Sequence, residues 1–222
     1  MEFENDGYEV VQDFISPGEI DALLTVLHEY KIGALRGGIR NIDRIAPDVA
    51  ALAKEPRLLS AARRRLSGIP RLVRAIYFEK SPANNWLVTW HQDRTVAVSE
   101  RFDAPGWGPW SRKDEVWHVQ PPLCVLEDMV AIRIHLDPAT TKNGCLKILP
   151  GSHKAGLLAA AAVSAYIGNH RAIYCEVARG GALIMRPHVL HASEKAVLPD
   201  PRRVLHFEYS SYGLPDGITW LG

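Results

Sequence analysis

Cysteine is scarce in this chain of 222 residues: Cys124, Cys145 and Cys175 are an odd number with no C-x-x-C spacing. Such a set builds neither a disulfide framework nor a thiolate zinc site, and it fits a reducing compartment. Net charge is nearly absent. Lys and Arg number 26 against 25 Asp and Glu, a formal +1, so the basic field that phosphate-neutralising nucleic-acid binders need is missing. Long apolar runs are missing too, since the longest mild stretch, Ala155 to Gly168, falls short of the roughly 20 residues of a membrane span. The acidic opening lacks the basic-then-apolar order of a secretory signal. Repeats, charge blocks and Gly/Ser linkers are also lacking. What is there is an ordinary globular composition, 47% hydrophobic and 23% charged, which excludes a disordered chain. The expectation is a soluble, cytoplasmic protein forming one domain over 1–222, with neither nucleic-acid nor membrane partners. Its oligomeric state is left open.

Two helices are legible in the first 70 residues, the mostly helical part. Ser16-Pro17-Gly18-Glu19 combines an N-cap serine, a proline at the first helical position and a glutamate placed to close a capping box. Behind it Ile20, Leu23, Leu24 and Leu27 recur at helical spacing, predicting a helix to about His28. A second helix is predicted after Pro56, with Leu58, Leu59, Ala62 and Leu66 inward and Arg63, Arg64 and Arg65 solvated. Beyond Gly68-Ile69-Pro70 the texture changes to β-branched and aromatic runs between turn residues. Strands are predicted near Leu72–Phe78, Trp86–Asp93, Met129–Leu136, Cys145–Leu149, Ala172–Val177, Ala182–Arg186 and Val204–Tyr209. No helix-sized segment alternates regularly with them, so residues 71–222 read as an antiparallel sandwich or jelly roll with flanking helices rather than a doubly wound parallel sheet. Glu100 to Leu126, rich in Trp, Pro and Gly, reads as a long loop acting as a lid, and His153 to Gly168 as a helical insertion.

Chemistry concentrates in Trp90-His91-Gln92-Asp93 at the end of a predicted strand. Residues i and i+2 of a strand share a face, so His91 and Asp93 can aim an imidazole and a carboxylate at one point. With a second histidine they complete a facial triad that leaves open positions at Fe(II) for oxygen and substrate. In a jelly roll the second and seventh strands lie side by side, so that histidine is sought late in the chain, where His188, His191 and His206 are the candidates. Ser193 shares His191's face by the same alternation. Arg202 and Arg203 open the last strand, and one arginine at the bottom of a barrel can hold a carboxylate in a bidentate bond. Arg133 and His135 alternate with Ile132 and Ile134; an inward Arg133 can receive an acidic substrate, whereas an outward one makes a solvent-facing ion pair. Trp107, Trp110 and His118 are candidates for the substrate mouth. His153 is read as structural, within the Pro150-Gly151 turn.

The chain resembles the phytanoyl-CoA dioxygenase family of Fe(II)/2-oxoglutarate oxygenases. The matching stretches are Asn85-Trp86 leading to Trp90-His91-Gln92-Asp93, Asn143-Gly144-Cys145-Leu146 with Pro150-Gly151-Ser152-His153, Met185-Arg186-Pro187 with His191-Ala192-Ser193, and Arg202-Arg203-Val204-Leu205-His206. Gly7-Tyr8-Glu9-Val10-Val11 before a helix is also typical, so the resemblance spans essentially the whole chain. It implies a double-stranded β-helix (jelly roll, cupin-like), with iron held by His91, Asp93 and His191. It also implies 2-oxoglutarate and O2 as cosubstrates. In the family an arginine eleven positions after the distal histidine meets the 5-carboxylate of 2-oxoglutarate, which makes Arg202 the expected anchor, Arg203 the reserve and Ser193 an assistant. Asp93 keeps the carboxylate ligand that halogenating relatives lose. The activity implied is hydroxylation of a small organic molecule with release of succinate and CO2. Two alternatives stand beside it, a non-catalytic jelly-roll binding protein and a cupin-type metalloenzyme that does not use 2-oxoglutarate. Neither the substrate nor the choice between hydroxylation and another radical outcome is readable from these residues.

Overall fold

The computed structural model describes residues 3–30, 38–81, 84–197 and 200–222. Helices α1 (Phe3–Asp6), α2 (Pro17–Glu29), α3 (Ile42–Ile45), α4 (Pro47–Ala53) and α5 (Pro56–Arg63) occupy the first part of the chain, with α6 (Leu123–Glu127) and α7 (Ala160–Asn169) later. The strands are β1 (Tyr8–Val11), β2 (Ile39–Arg40), β3 (Arg71–Lys80), β4 (Val88–His91), β5 (Val96–Val98), β6 (Trp110–Lys113), β7 (Val116–Val119), β8 (Met129–His135), β9 (Leu146–Ile148), β10 (Ile173–Cys175), β11 (Ala182–Met185), β12 (His191–Ser193) and β13 (Arg202–Ser210).

They form a six-stranded sheet in the order β1-β11-β8-β13-β3-β2, a four-stranded sheet β10-β9-β12-β4 and a three-stranded sheet β5-β7-β6. The pairings are antiparallel throughout, which is the jelly-roll arrangement expected from the sequence. The six-stranded sheet is covered on one face by α2, α4 and α5. Its outward residues Ala75, Tyr77, Ile132, Ile134, Ile184, Leu205 and Phe207 join Ile20, Leu23, Leu27, Val49, Leu52 and Leu58 in one buried cluster. Fully burying such a side chain contributes about 1.5–3 kcal/mol. Between the two larger sheets one end is apolar, built from Tyr8, Leu146, Ile148, Leu183, Met185 and Val189.

Local signals hold where they were strongest. Ser16 caps α2 with the full capping box: its backbone N–H donates to Glu19 Oε2 at 2.8 Å, and Glu19 N–H donates to Ser16 Oγ at 3.3 Å. Two expectations are corrected. Arg65 is not solvated; its side chain is 9% exposed, pairs with Glu9 and lies 5.2 Å from the Phe3 ring centroid, so it ties the end of α5 to β1. The segment between Glu100 and Leu126 runs irregularly as far as Pro109 but is not one long loop. It folds into the β6–β7 hairpin, turned at Asp114 and Glu115 with φ of 49° and 62°, followed by α6. The expected insertion after His153 is a 3₁₀ turn (Ser152–Ala155) followed by α7.

Candidate active site

The β4–β12 pairing sets His91 directly opposite His191, the second-to-seventh-strand contact that the jelly roll implies. Asp93 follows two residues later, its N–H donating to Pro187 O at 3.0 Å. One ligand atom from each of His91, Asp93 and His191 lies within 4.8 Å of the others. His91 Nε2 is 3.7 Å from Asp93 Oδ1, and His191 Nε2 is 3.7 Å from Asp93 Oδ2. Each imidazole is oriented by its other nitrogen: His91 Nδ1 meets Thr89 O at 2.9 Å and His191 Nδ1 meets Val189 O at 2.9 Å. Since those carbonyls only accept, Nδ1 is the donor on both rings, which turns both Nε2 atoms toward Asp93. Burial pushes His191 down to about 4, so it is neutral near pH 7. Burial opposes the charge on Asp93, but His191, His91 and then Arg74 outweigh it and hold the carboxyl down to about 2. Two imidazole nitrogens and one ionised oxygen converging at one point fit a divalent transition metal.

Gln92 was not singled out from the sequence, yet it fixes this corner. It turns away from its neighbours and is buried, donating through Nε2 to Gly156 O at 2.7 Å and His188 O at 2.8 Å. Its Oε1 accepts from Leu158 N–H at 2.9 Å.

Beside the triad lies a cavity of about 100 Å³ whose lining includes Ile76, Phe78, Trp86, Val88, Ser193 and Arg202. Arg202 is 3% exposed, and its Nε and Nη1 have no partner. Burial, then Arg133, lowers it to about 9. Arg203 alternates to the other side and binds Asp137 in a bidentate pair, Nε–Oδ2 2.7 Å and Nη2–Oδ1 2.7 Å. Lys80, which the sequence reading passed over, is fully buried and donates to Ser193 Oγ at 2.7 Å and to Glu194 O. Ser193 Oγ in turn donates to Gly144 O at 2.8 Å. Burial, then Arg202, pushes the Lys80 amine down to about 7.

Arg133 faces inward. Its Nη1 donates to His206 Nδ1 at 2.9 Å, His206 Nε2 donates to Glu208 Oε1 at 3.0 Å, and Arg74 grips Glu208 through Nε and Nη2, both at 2.8 Å. Arg74 and Glu208 were also missed. Their signal was the period-2 alternation of β3 and β13, in which Arg74, Ile76, Phe78 and Lys80 share one face and Arg202, Val204, His206 and Glu208 another.

Several candidates fall elsewhere. Trp107 and Trp110 pack with Phe102, Trp117 and Tyr212 against the three-stranded sheet, and neither lines the cavity. His118 is buried in β7 with neither ring nitrogen hydrogen-bonded and does not line it either. His188 points toward His153, ring centroids 5.9 Å apart, away from the triad. His153 Nε2 meets Glu4 O at 3.2 Å, as a structural residue would. A larger groove, about 670 Å³, opens between Lys54, Leu59, Leu72 and the 213–222 segment, but contains none of the metal-ligating clusters found among the described residues.

A jelly roll with two histidines and one aspartate converging beside a buried, unpaired arginine defines a class, the mononuclear iron oxygenases that use 2-oxoglutarate. A family model for phytanoyl-CoA dioxygenase (PhyH) matches residues 3–204. The chain belongs to that family and is a 2-oxoglutarate-dependent dioxygenase. It is similar to ectoine dioxygenase of Halomonas elongata, 24% identical over 245 aligned residues that cover 94% of this chain and 68% of that protein. Among solved structures, EctD from S. alaskensis with 2-oxoglutarate and 5-hydroxyectoine superposes with a TM-score of 0.72 at 19% identity, covering 94% of this chain and 73% of that one. SnoK, an alpha-ketoglutarate-dependent carbocyclase from nogalamycin biosynthesis, gives 0.72 at 16% identity, covering 97% and 86%. At such identities the structures speak to the fold. No helix among the described residues is long and apolar enough to cross a membrane.

Proposed function

We propose that His91, Asp93 and His191 hold Fe(II), that Arg202 receives the 5-carboxylate of 2-oxoglutarate with Ser193 beside it, and that the protein hydroxylates a small organic molecule with O2, releasing succinate and CO2. The observation that carries this reading is Arg202. A fully buried guanidinium with two unpartnered nitrogens is costly unless an anion answers it, and it lines the same cavity as the triad. Bound iron would supply the coupling of O2 reduction to oxidative decarboxylation of the cosubstrate. The chain's part is to place and shield. Thr89 and Val189 carbonyls fix the imidazole tautomers, Lys80 and Gly144 lock the Ser193 hydroxyl, and Phe78, Trp86 and Val88 wall the cavity against water. Neither ectoine nor any other relative's substrate is carried over. The odd, scattered set of three cysteines, free in this fold, supports a reducing compartment, the cytoplasm.

The test is anaerobic Fe(II) binding together with succinate formation from 2-oxoglutarate in the absence of other substrate. His191→Ala is expected to lose most of its iron and all turnover while keeping the fold, because two ligands hold Fe(II) poorly. Unchanged iron stoichiometry in that variant would move the third ligand to another histidine. Iron binding without any succinate formation would point to a cupin-type enzyme that does not use 2-oxoglutarate, and succinate formation indifferent to Arg202→Ala would move the cosubstrate anchor to another residue.

A further inference from the structure

The cavity holds one charge that iron and 2-oxoglutarate leave unanswered. Three cationic side chains line it, Arg74, Arg133 and Arg202, while Lys80 lies behind them, hydrogen-bonded to Ser193 of the lining. Arg74 is matched by Glu208. A divalent ion beside Asp93 keeps a positive charge that the 1-carboxylate of 2-oxoglutarate answers, and Arg202 answers the 5-carboxylate. Lys80 is already held by a hydroxyl and a carbonyl. Arg133 remains. It is 6% exposed, its Nε has no partner, and no carboxylate of the described residues makes an ion pair with it.

Its geometry is set by neighbours rather than left free. Glu208 accepts from His206 Nε2, which leaves Nδ1 as the acceptor for Arg133 Nη1. Phe78 lies under the guanidinium, its centroid 5.1 Å from Cζ. With Nη1 committed, the Nε–Nη2 edge is the side left to take a carboxylate in two parallel hydrogen bonds. We propose that Arg133 is the specificity residue of this site and that the substrate is a small carboxylic acid, its carboxylate seated on that edge of Arg133. This rests on the iron and 2-oxoglutarate reading above. A neutral isostere of the acid leaves the buried guanidinium unpaired, and sites built that way reject the isostere strongly.

The test uses protein loaded with Mn(II) and 2-oxoglutarate, titrated with two matched pairs, propionate against propionamide and benzoate against benzamide. Binding is read from the Mn(II)-enhanced relaxation of the probes' protons. In the wild type the acids are expected to bind at least about tenfold more tightly than the amides, the low end for a charged hydrogen-bonded pair. Arg133→Gln should erase that preference while leaving 2-oxoglutarate affinity within about twofold. Arg133→Lys keeps the charge without the fork and should retain a reduced preference, so the test survives a Gln variant that fails to fold. Equal binding of acid and amide overturns the proposal. So does a tenfold loss of 2-oxoglutarate affinity in Arg133→Gln with the acid preference intact, which would make Arg133 a cosubstrate group. A wild-type protein that takes up neither Mn(II) nor 2-oxoglutarate overturns the underlying reading with it, a result distinct from a loaded protein that ignores acids.

Discussion

On β13, Leu205, Phe207 and Tyr209 pack toward the helices, whereas Arg202, Val204, His206 and Glu208 face the interior between the sheets. The same division runs through β3 and β8. There Ala75, Tyr77, Val130, Ile132 and Ile134 go outward, and Arg74, Phe78 and Arg133 go inward. Both faces are buried, so burial alone does not distinguish them. What differs is the sign of its effect. Outer residues gain free energy by leaving water, while each inner charge loses hydration that its few partners recover only partly. A sheet that tolerates such charges on one face relies on the other for its stability, and the charged face is where function is to be sought.

The largest expected effect breaks the outer face. Phe207→Ala removes a fully buried ring and should destabilise the protein by about 3–5 kcal/mol, measured by denaturant unfolding, with 2-oxoglutarate affinity unchanged in the folded fraction. A loss below about 1 kcal/mol would mean that the helical layer does not carry the stability argued here. Next comes the inner face. Arg202→Ala should weaken 2-oxoglutarate binding about ten- to a hundredfold, corresponding to about 1.5–3 kcal/mol, with unfolding stability unchanged or raised. Arg203→Ala removes only a partly buried pair with Asp137 on the other side of the strand and should leave cosubstrate affinity near wild type. Similar losses in both variants would dissolve the distinction between the faces.

That distinction was only half legible in the residues. Alternation on β3 and β13 separates two sets, but period 2 does not say which set faces the interior; that depends on where the helices dock. Arg74, Lys80 and Glu208 therefore escaped notice although they sit in regular strands. His91 and Asp93 were readable because their partnership lies within three residues. The opposition of His191 to His91 was readable only through the topology that a jelly roll implies. The β6–β7 hairpin was misread as loop because its strands are four residues each. Its Asp114-Glu115 turn also lacks the Asn-Gly or Asp-Gly signal that such left-handed positions usually show. Arg65 was misplaced because a run of three arginines looks like a wet helix face, and the contact that buries it comes from distant Glu9.

The smallest effect sharpens the comparison through pH. His135 faces inward from β8 with neither ring nitrogen hydrogen-bonded, and burial pushes it well below 6.5. His118 and His188 are likewise buried and pushed down to about 4 by burial. Each of these rings stays neutral in the folded protein while its unfolded counterpart takes a proton near pH 6.5, so unfolding absorbs protons as pH falls below about 6.5, down to about 4 for His118 and His188. Their contribution is complete above about 6.5 and is lost as pH falls, by up to about 1.4 kcal/mol per pH unit per histidine, levelling off near 4 for His118 and His188. Denaturant unfolding of the metal-free protein at several pH values across that window should show the fall. His118→Phe should reduce its slope by the share of one histidine, whereas Phe207→Ala should lower the whole curve without changing its slope. If both variants shifted the curve in parallel, His118 would already bind its proton in the folded state, and the buried bases would owe their presence to something other than desolvated neutrality.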